Sequence, residues 1–287
     1  RRSSDLSGCM VDSNYADYGY GGAIYAYDVI LSDDVSLFDA NATYDVSGGA
    51  CYFDHVDAVL VGTVFDNNLS FEAAGALYQE YGSLSMSGCR FDGNTADSGS
   101  GGALYTEYLS SLRCVDTVFF DNYSEEYGGG GVIYFNPDVV FQNVRFELNV
   151  SNQDSGALDT YNMTALFLSC SFVNNECYSS VGGVSYIADS SVSFVDCGFI
   201  SNTASSDGGA LWANNVNLSI SSCRFIGNET YGSNGGGAIY SDNGDLTIQD
   251  SLFDYNYCDY SYGGAIYAEY MSLSVSNCVF TNNYSGD

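Results

Sequence analysis

The chain has 287 residues, 46% of them hydrophobic, and a formal net charge of −30 from 36 acidic residues against six arginines and no lysine. That charge excludes nucleic acid and bare anionic lipid as partners, because both require a basic footprint. The 26 tyrosines and 17 phenylalanines exclude the disorder that so acidic a composition otherwise suggests, and no apolar run reaches the roughly 18 residues that cross a bilayer.

In chain order, a degenerate corner, Val11…Asn14, comes first. Gly21-Gly22-Ala23-Ile24-Tyr25 follows, then an alternating stretch, then Phe38-Asp39-Ala40-Asn41. The same succession recurs to the end. Glycine-type doublets stand at Gly21-Gly22, Gly48-Gly49, Ala74-Gly75, Gly101-Gly102, Gly130-Gly131, Ser155-Gly156, Gly182-Gly183, Gly208-Gly209, Gly236-Gly237 and Gly263-Gly264. Counted from the second residue, the gaps are 27, 26, 27, 29, 25, 27, 26, 28 and 27. Between doublets the phrase Phe-x-x-Asn repeats, from Phe38…Asn41 to Phe280…Asn283. A period this regular is an architecture in itself.

Segments such as Leu84-Ser85-Met86, Leu218-Ser219-Ile220 and Leu273-Ser274-Val275 alternate apolar and polar, the period-2 sign of strands with one buried face. Strands this short cannot each bury a face alone. Stacking each on its equivalent one repeat later buries them all, so the pattern predicts an all-β, single-stranded right-handed parallel β-helix. About ten coils of about 27 residues make one domain over 1–287 with no separate cap, a rod on the order of 50 Å long. Glycine suits the tight corner. The repeated Asn can stack as an amide ladder beside a column of Phe.

Gly-Gly-Ala-Ile/Leu alternating with Phe-x-x-Asn along the whole chain resembles the repeat of the chlamydial polymorphic outer membrane proteins. The resemblance implies a β-helical passenger on a cell surface, used in adhesion and displayed through a C-terminal membrane barrel.

The chemistry that the residues offer points to structure or binding rather than turnover. Acids are abundant, but the arginines are scattered along the repeat and His55 is the only histidine, so no enzyme and no cofactor is expected. Asp39, Asp66 and Asp92 follow the repeated Phe in three successive repeats. Stacked like charges oppose strand pairing unless they splay into water or a cation such as calcium bridges them. Behind the doublets runs the row Tyr25, Tyr52, Tyr78, Tyr105, Tyr134, Asp159, Tyr186, Trp212, Tyr240 and Tyr267. Alternation sets this row opposite Ile24, Leu77 and Leu104 and leaves open which row is inside. Cys170, Cys197 and Cys223 occupy one position in consecutive repeats, close enough for one pair to form a disulfide.

Cys9 and Cys278 stand at that same position near the two ends, which makes them a candidate subunit junction. Eight Asn-x-Ser/Thr sequons occur: Asn162 and Asn217 off the Phe-x-x-Asn corner, and Asn41, Asn68, Asn122, Asn149, Asn228 and Asn283 on it. Charge, sequons and cysteines together suggest an extracellular or cell-surface glycoprotein. The expected function is a structural subunit that stacks head to tail on itself into a fibre. The alternative is a monomeric adhesin or glycan-binding passenger that meets host or cell-surface ligands.

Overall fold

A computed structural model describes residues 2–232, 235–260 and 262–286. The described residues form strands, turns and bends without a helix. Every strand pairing is parallel, each strand bonding to its equivalent one repeat away, for example Phe38 with Phe65 and Leu77 with Leu104. The chain is thus a β-solenoid of ten full coils of about 27 residues, preceded by a partial coil.

Each coil contributes to three sheets. The broad sheet carries the strand after the glycine corner and the alternating strand behind it. In several coils these fuse into one strand of 11 residues, as in Cys51–Val61, Leu77–Ser87 and Leu211–Ser221. The second sheet, 11-stranded, holds the repeated Phe in three-residue strands such as Arg90–Asp92. The third, also 11-stranded, holds two-residue strands such as Thr95–Ala96 just after the repeated Asn.

Two inward columns fix the coil cross-section. The Phe rings stack from Phe38 to Phe280 with centroids 4.4–5.2 Å apart, and those from Phe38 to Phe253 are buried. Beside them the Asn ladder is continuous. Asn68 donates Nδ2–H to Asn94 Oδ1 (2.9 Å) and to the Phe38 carbonyl (3.0 Å), while its backbone N–H donates to the same Asn94 Oδ1 (3.0 Å). Each amide is thereby saturated in a place that water does not reach. The residue before each repeated Asn, Ala40 or Asn67 for instance, takes the left-handed conformation that turns the corner.

The second glycine of each doublet is there for a different reason. A Cβ on Gly102 would lie 2.2 Å from the Gly129 carbonyl oxygen of the next coil, and one on Gly75 would lie 2.2 Å from that of Gly102. The first member takes positive φ, which Ala74 and Ser155 also accept, and in the glycine copies a Cβ would crowd a carbonyl of the same coil, as Gly21 would that of Ile24 at 2.1 Å.

That contact corrects one assignment made from sequence. The corner of the fifth repeat is Gly128-Gly129, not Gly130-Gly131. Gly128 has φ +62°, and Gly129 continues the row from Gly102 to Gly156. The irregular gaps of 29 and 25 residues become 27 and 27. Gly129 then lies as far ahead of Val139 as Gly102 lies ahead of Val139's partner Leu112. The run Gly128–Gly131 followed by Val132 offered two readings, and strand length decides between them.

Candidate functional site on the outer face of the broad sheet

The structure answers the question of which row is inside. Cys51, Leu77, Leu104, Leu158, Leu211 and Ile239 lie in the core, so their neighbours Tyr52, Tyr78, Tyr105, Asp159, Trp212 and Tyr240 are on the outer face. The corner correction alters the row itself. Tyr105 pairs with Val132, and Tyr134 moves two places on, beside Glu107 and Tyr161.

The outer face is built from three adjacent rows. The first is the tyrosine ladder, stacked at 4.7 Å from Tyr52 to Tyr78 and 4.9 Å from Tyr78 to Tyr105, then again at 4.6 Å from Tyr186 to Trp212. Loops ahead of the glycine corners wall it on one side. Ser47, Glu72, Ser98 and Glu126 border a groove floored by Tyr78 and Tyr105, with a volume of about 370 Å³.

The second row, two residues on, is acidic: Asp54, Glu80 and Glu107. Its carboxylates accept from the tyrosines of the coil before. Tyr52 Oη donates to Glu80 Oε1 at 2.8 Å and Tyr78 Oη to Glu107 Oε1 at 2.5 Å. Burial, then the bonded carboxylate, pushes both hydroxyls up, so they remain donors.

Sequence reasoning missed the third row. One residue per coil interrupts the broad-sheet strand with φ between 50° and 58°: Asp28, His55, Tyr81, Tyr108, Phe135, Asn162, Asp189, Asn215, Asn243 and Tyr270. Asn and Asp tolerate this conformation, whereas bulky residues rarely adopt it. Even so, His55, Tyr81, Tyr108 and Phe135 follow one another there, stacked at 4.5, 5.4 and 4.9 Å. Tyr81 and Tyr108 are 39% and 45% exposed, so the stack turns its edges to solvent rather than core. The missed signal was the column itself, visible once the repeats are aligned on the glycine corner.

The ladder breaks in the middle of the molecule. Val132 and Asp159 take the two places where tyrosines would stand, and both are buried. Tyr134 leans back toward the vacancy and its hydroxyl donates to Asp159 Oδ1 at 3.0 Å. Burial pushes the Asp159 carboxyl up to about 8, the Tyr134 hydroxyl opposes that, and Asp154 adds to it.

The remaining sequence candidates fall elsewhere. Asn41, Asn68, Asn122, Asn149 and Asn228 are at most 1% exposed and spend their Nδ2 hydrogens inside the ladder, which corrects their candidacy as glycan acceptors. Asn283 is partly buried and donates to the Phe253 carbonyl. Asn162 and Asn217 lie exposed on the broad sheet.

Cys170, Cys197 and Cys223 do stack, as free thiols. The backbone N–H of Cys170 donates to Cys197 Sγ and that of Cys197 to Cys223 Sγ, both at 3.4 Å. Cys9 and Cys278 end the same column, half-buried, with Cys9 N–H donating to Ser36 Oγ. Asp39, Asp66 and Asp92 are in register. Asp66 is raised by burial and by Asp92 and Asp39, while Arg90 opposes the shift and pairs with Asp92 at 2.6 Å. Among the described residues no group of three His, Cys, Asp or Glu is placed to hold a metal ion.

With this geometry in view, the comparisons with known proteins are specific. The Chlamydia polymorphic membrane protein repeat matches at residues 88–107 and 222–242. Each match contains one Phe-x-x-Asn corner and the glycine corner after it. The probable autotransporter YfaL of Escherichia coli (strain K12) is 28% identical in a 151-residue alignment that covers 45% of this chain and 12% of that protein. The chain therefore spans a small part of that relative's length. No solved structure matches it. The chain is thus similar to the chlamydial polymorphic membrane protein repeat at these two places, and each of its own repeats is wound as one coil of a parallel β-solenoid.

Proposed function

We propose that this chain is a length of a surface-displayed β-helical passenger, and that it binds its ligand on the outer aromatic face of its first half. The observation that carries this reading is the pair of in-register ladders, Tyr52–Tyr78–Tyr105 and His55–Tyr81–Tyr108–Phe135, with the carboxylates of Asp54, Glu80 and Glu107 between them. Aromatic edges repeating every strand, flanked by hydrogen-bond acceptors, fit an extended polymer of hydroxylated rings, that is, a glycan. The net charge of −30 favours a neutral or amine-bearing glycan over a polyuronate. The role is one of binding, without turnover.

The test is a glycan array probed with the parent and with a Tyr81→Asn/Tyr108→Asn double variant, whose new residues suit positive φ. The double variant should keep its fold and lose binding by about tenfold or more, as removal of two stacked aromatics requires. Equal binding by parent and variant would remove the aromatic face from consideration.

End-to-end stacking is the second reading. What supports it is the uniform register of the coils, each strand bonding to its equivalent one repeat away, so that a coil of a second copy can pair as a coil of this chain does. Negative-stain microscopy over a dilution series should show filaments with a regular axial period; isolated short rods at every concentration would dispose of the idea.

A further inference from the structure

The break in the tyrosine ladder has a chemistry of its own. Along the ladders on either side neighbouring rings lie nearly parallel and cover one another, as Tyr52 and Tyr78 do at 7°. Around Val132 and Asp159 they turn perpendicular. Tyr134 meets Tyr105 at 75° and Tyr161 at 81°, and Phe135 meets Tyr161 at 81° with centroids 5.2 Å apart. Rings set at right angles make walls instead of a stack. Tyr134, Phe135 and Tyr161, with Tyr127 and Tyr186, line an open concavity of about 370 Å³ that also takes in Asp154 and Asp159.

We infer that this aromatic box is a binding site for an alkylammonium group, of the quaternary kind that choline carries, held against the buried carboxylate of Asp159. Five aromatic rings line it, and the negative face of an aromatic ring attracts a cation, most strongly when water is excluded. Asp159 is 3% exposed and anchored by the Tyr134 hydroxyl, so its charge has a fixed direction. No basic side chain of the chain competes for the place: no arginine lines the box, and the sequence has no lysine. A weakly hydrated cation with an apolar shell gives up little on entering.

The charged and titratable groups facing Asp159 are Tyr134 and Asp154, with Tyr105, Tyr127 and Tyr186 around them and Asp189 beyond, bonded to Tyr161. Since burial holds Asp159 protonated up to about 8, a bound cation must pull its proton off. Affinity therefore rises with pH up to that point and levels off above it. This site stands independently of the glycan reading, for it uses other residues of the face, Phe135 apart.

The experiment is calorimetric titration of the whole chain with tetramethylammonium chloride, against tert-butanol as the neutral isostere and sodium chloride at equal ionic strength. Saturable binding of the cation alone is expected, stronger at pH 8 than at pH 6. Asp159→Asn should weaken it about tenfold or more, and Tyr127→Leu, on the wall loop, should weaken it without touching the sheet. No saturation, equal binding of the neutral isostere, or an unchanged Asp159→Asn and Tyr127→Leu pair overturns the inference. Sedimentation with phosphatidylcholine vesicles that tetramethylammonium inhibits assigns the group to a lipid headgroup; binding of the free cation without sedimentation assigns it to a soluble ligand.

Discussion

The Asn ladder inside the solenoid and the positive-φ row outside it are both one residue per coil, both continuous along the rod, and they have diverged completely. The inner row is Asn in every coil from Asn14 to Asn283. The outer row repeats one backbone conformation, φ 50–58°, but passes from His55, Tyr81, Tyr108 and Phe135 to Asn162, Asp189, Asn215 and Asn243. Inside, the side chain completes hydrogen bonds that nothing else can supply. Outside, the backbone asks only for a residue that accepts the conformation, and the choice is free for the surface to use. Aromatics in the first half are the locally unfavourable choice, and strained positions of this kind collect where a surface has work to do.

Replacing Asn149 by Ala should have the largest effect. Asn149 Oδ1 accepts from both the backbone N–H and Nδ2 of Asn122, and its own Nδ2 donates to the Phe119 carbonyl and to Asn175 Oδ1. At least three buried polar groups lose their partner, each worth about 1–3 kcal/mol. Chemical denaturation should register a loss of roughly 4 kcal/mol or more. A loss below about 1 kcal/mol would mean that the ladder is ornamental. Gly102→Ala, which drives a Cβ into the Gly129 carbonyl, should be comparably severe.

Those two residues show what was legible from sequence alone. The period, the coil and the inward Asn and Phe columns follow from spacing, because close packing inside the solenoid allows so few residues that the repeat prints them openly. The outer face is under no such constraint, and there the reading was weaker. Alternation put the Tyr and Leu rows on opposite faces without choosing between them. Four consecutive glycines hid the corner at Gly128-Gly129 and thereby displaced Tyr134. The third row was missed because Tyr81 and Asn215 look unrelated until the repeats are aligned on the glycine corner, and the φ angle that they share then explains the column.

Asp159 gives a smaller effect, set by pH. Its carboxyl is raised from the ordinary 3.8 to about 8 by burial, so the folded state binds a proton that the unfolded chain has released. The stability this provides is full below about 4 and is lost progressively as pH rises through about 8. Asp159→Asn removes the dependence. Thermal melts of parent and variant should coincide near pH 4 to within the cost of the substitution itself. By pH 8.5 they should have separated in the variant's favour, by a shift on the order of a few kcal/mol. A constant difference across the range would place Asp159 in contact with water.

The smallest effect bears most directly on the two halves of the outer row. If aromatic residues there serve the surface and not the fold, a swap should act with opposite signs on stability. Tyr108→Asn relieves a bulky side chain of positive φ and should stabilise by about 1 kcal/mol, while Asn215→Tyr should destabilise by a similar amount. Stacking works against the first change: Tyr108 loses contacts with Tyr81 and Phe135 at 5.4 and 4.9 Å, worth about 0.5–1.5 kcal/mol for each aromatic pair. Net stability change in Tyr108→Asn therefore measures stacking against strain. A gain, together with weakened glycan binding, says that the ladder is held for its ligand. A loss of about 2 kcal/mol with binding intact says that the rings brace the sheet, and the first half of the outer face then belongs to the fold as much as the Asn ladder does.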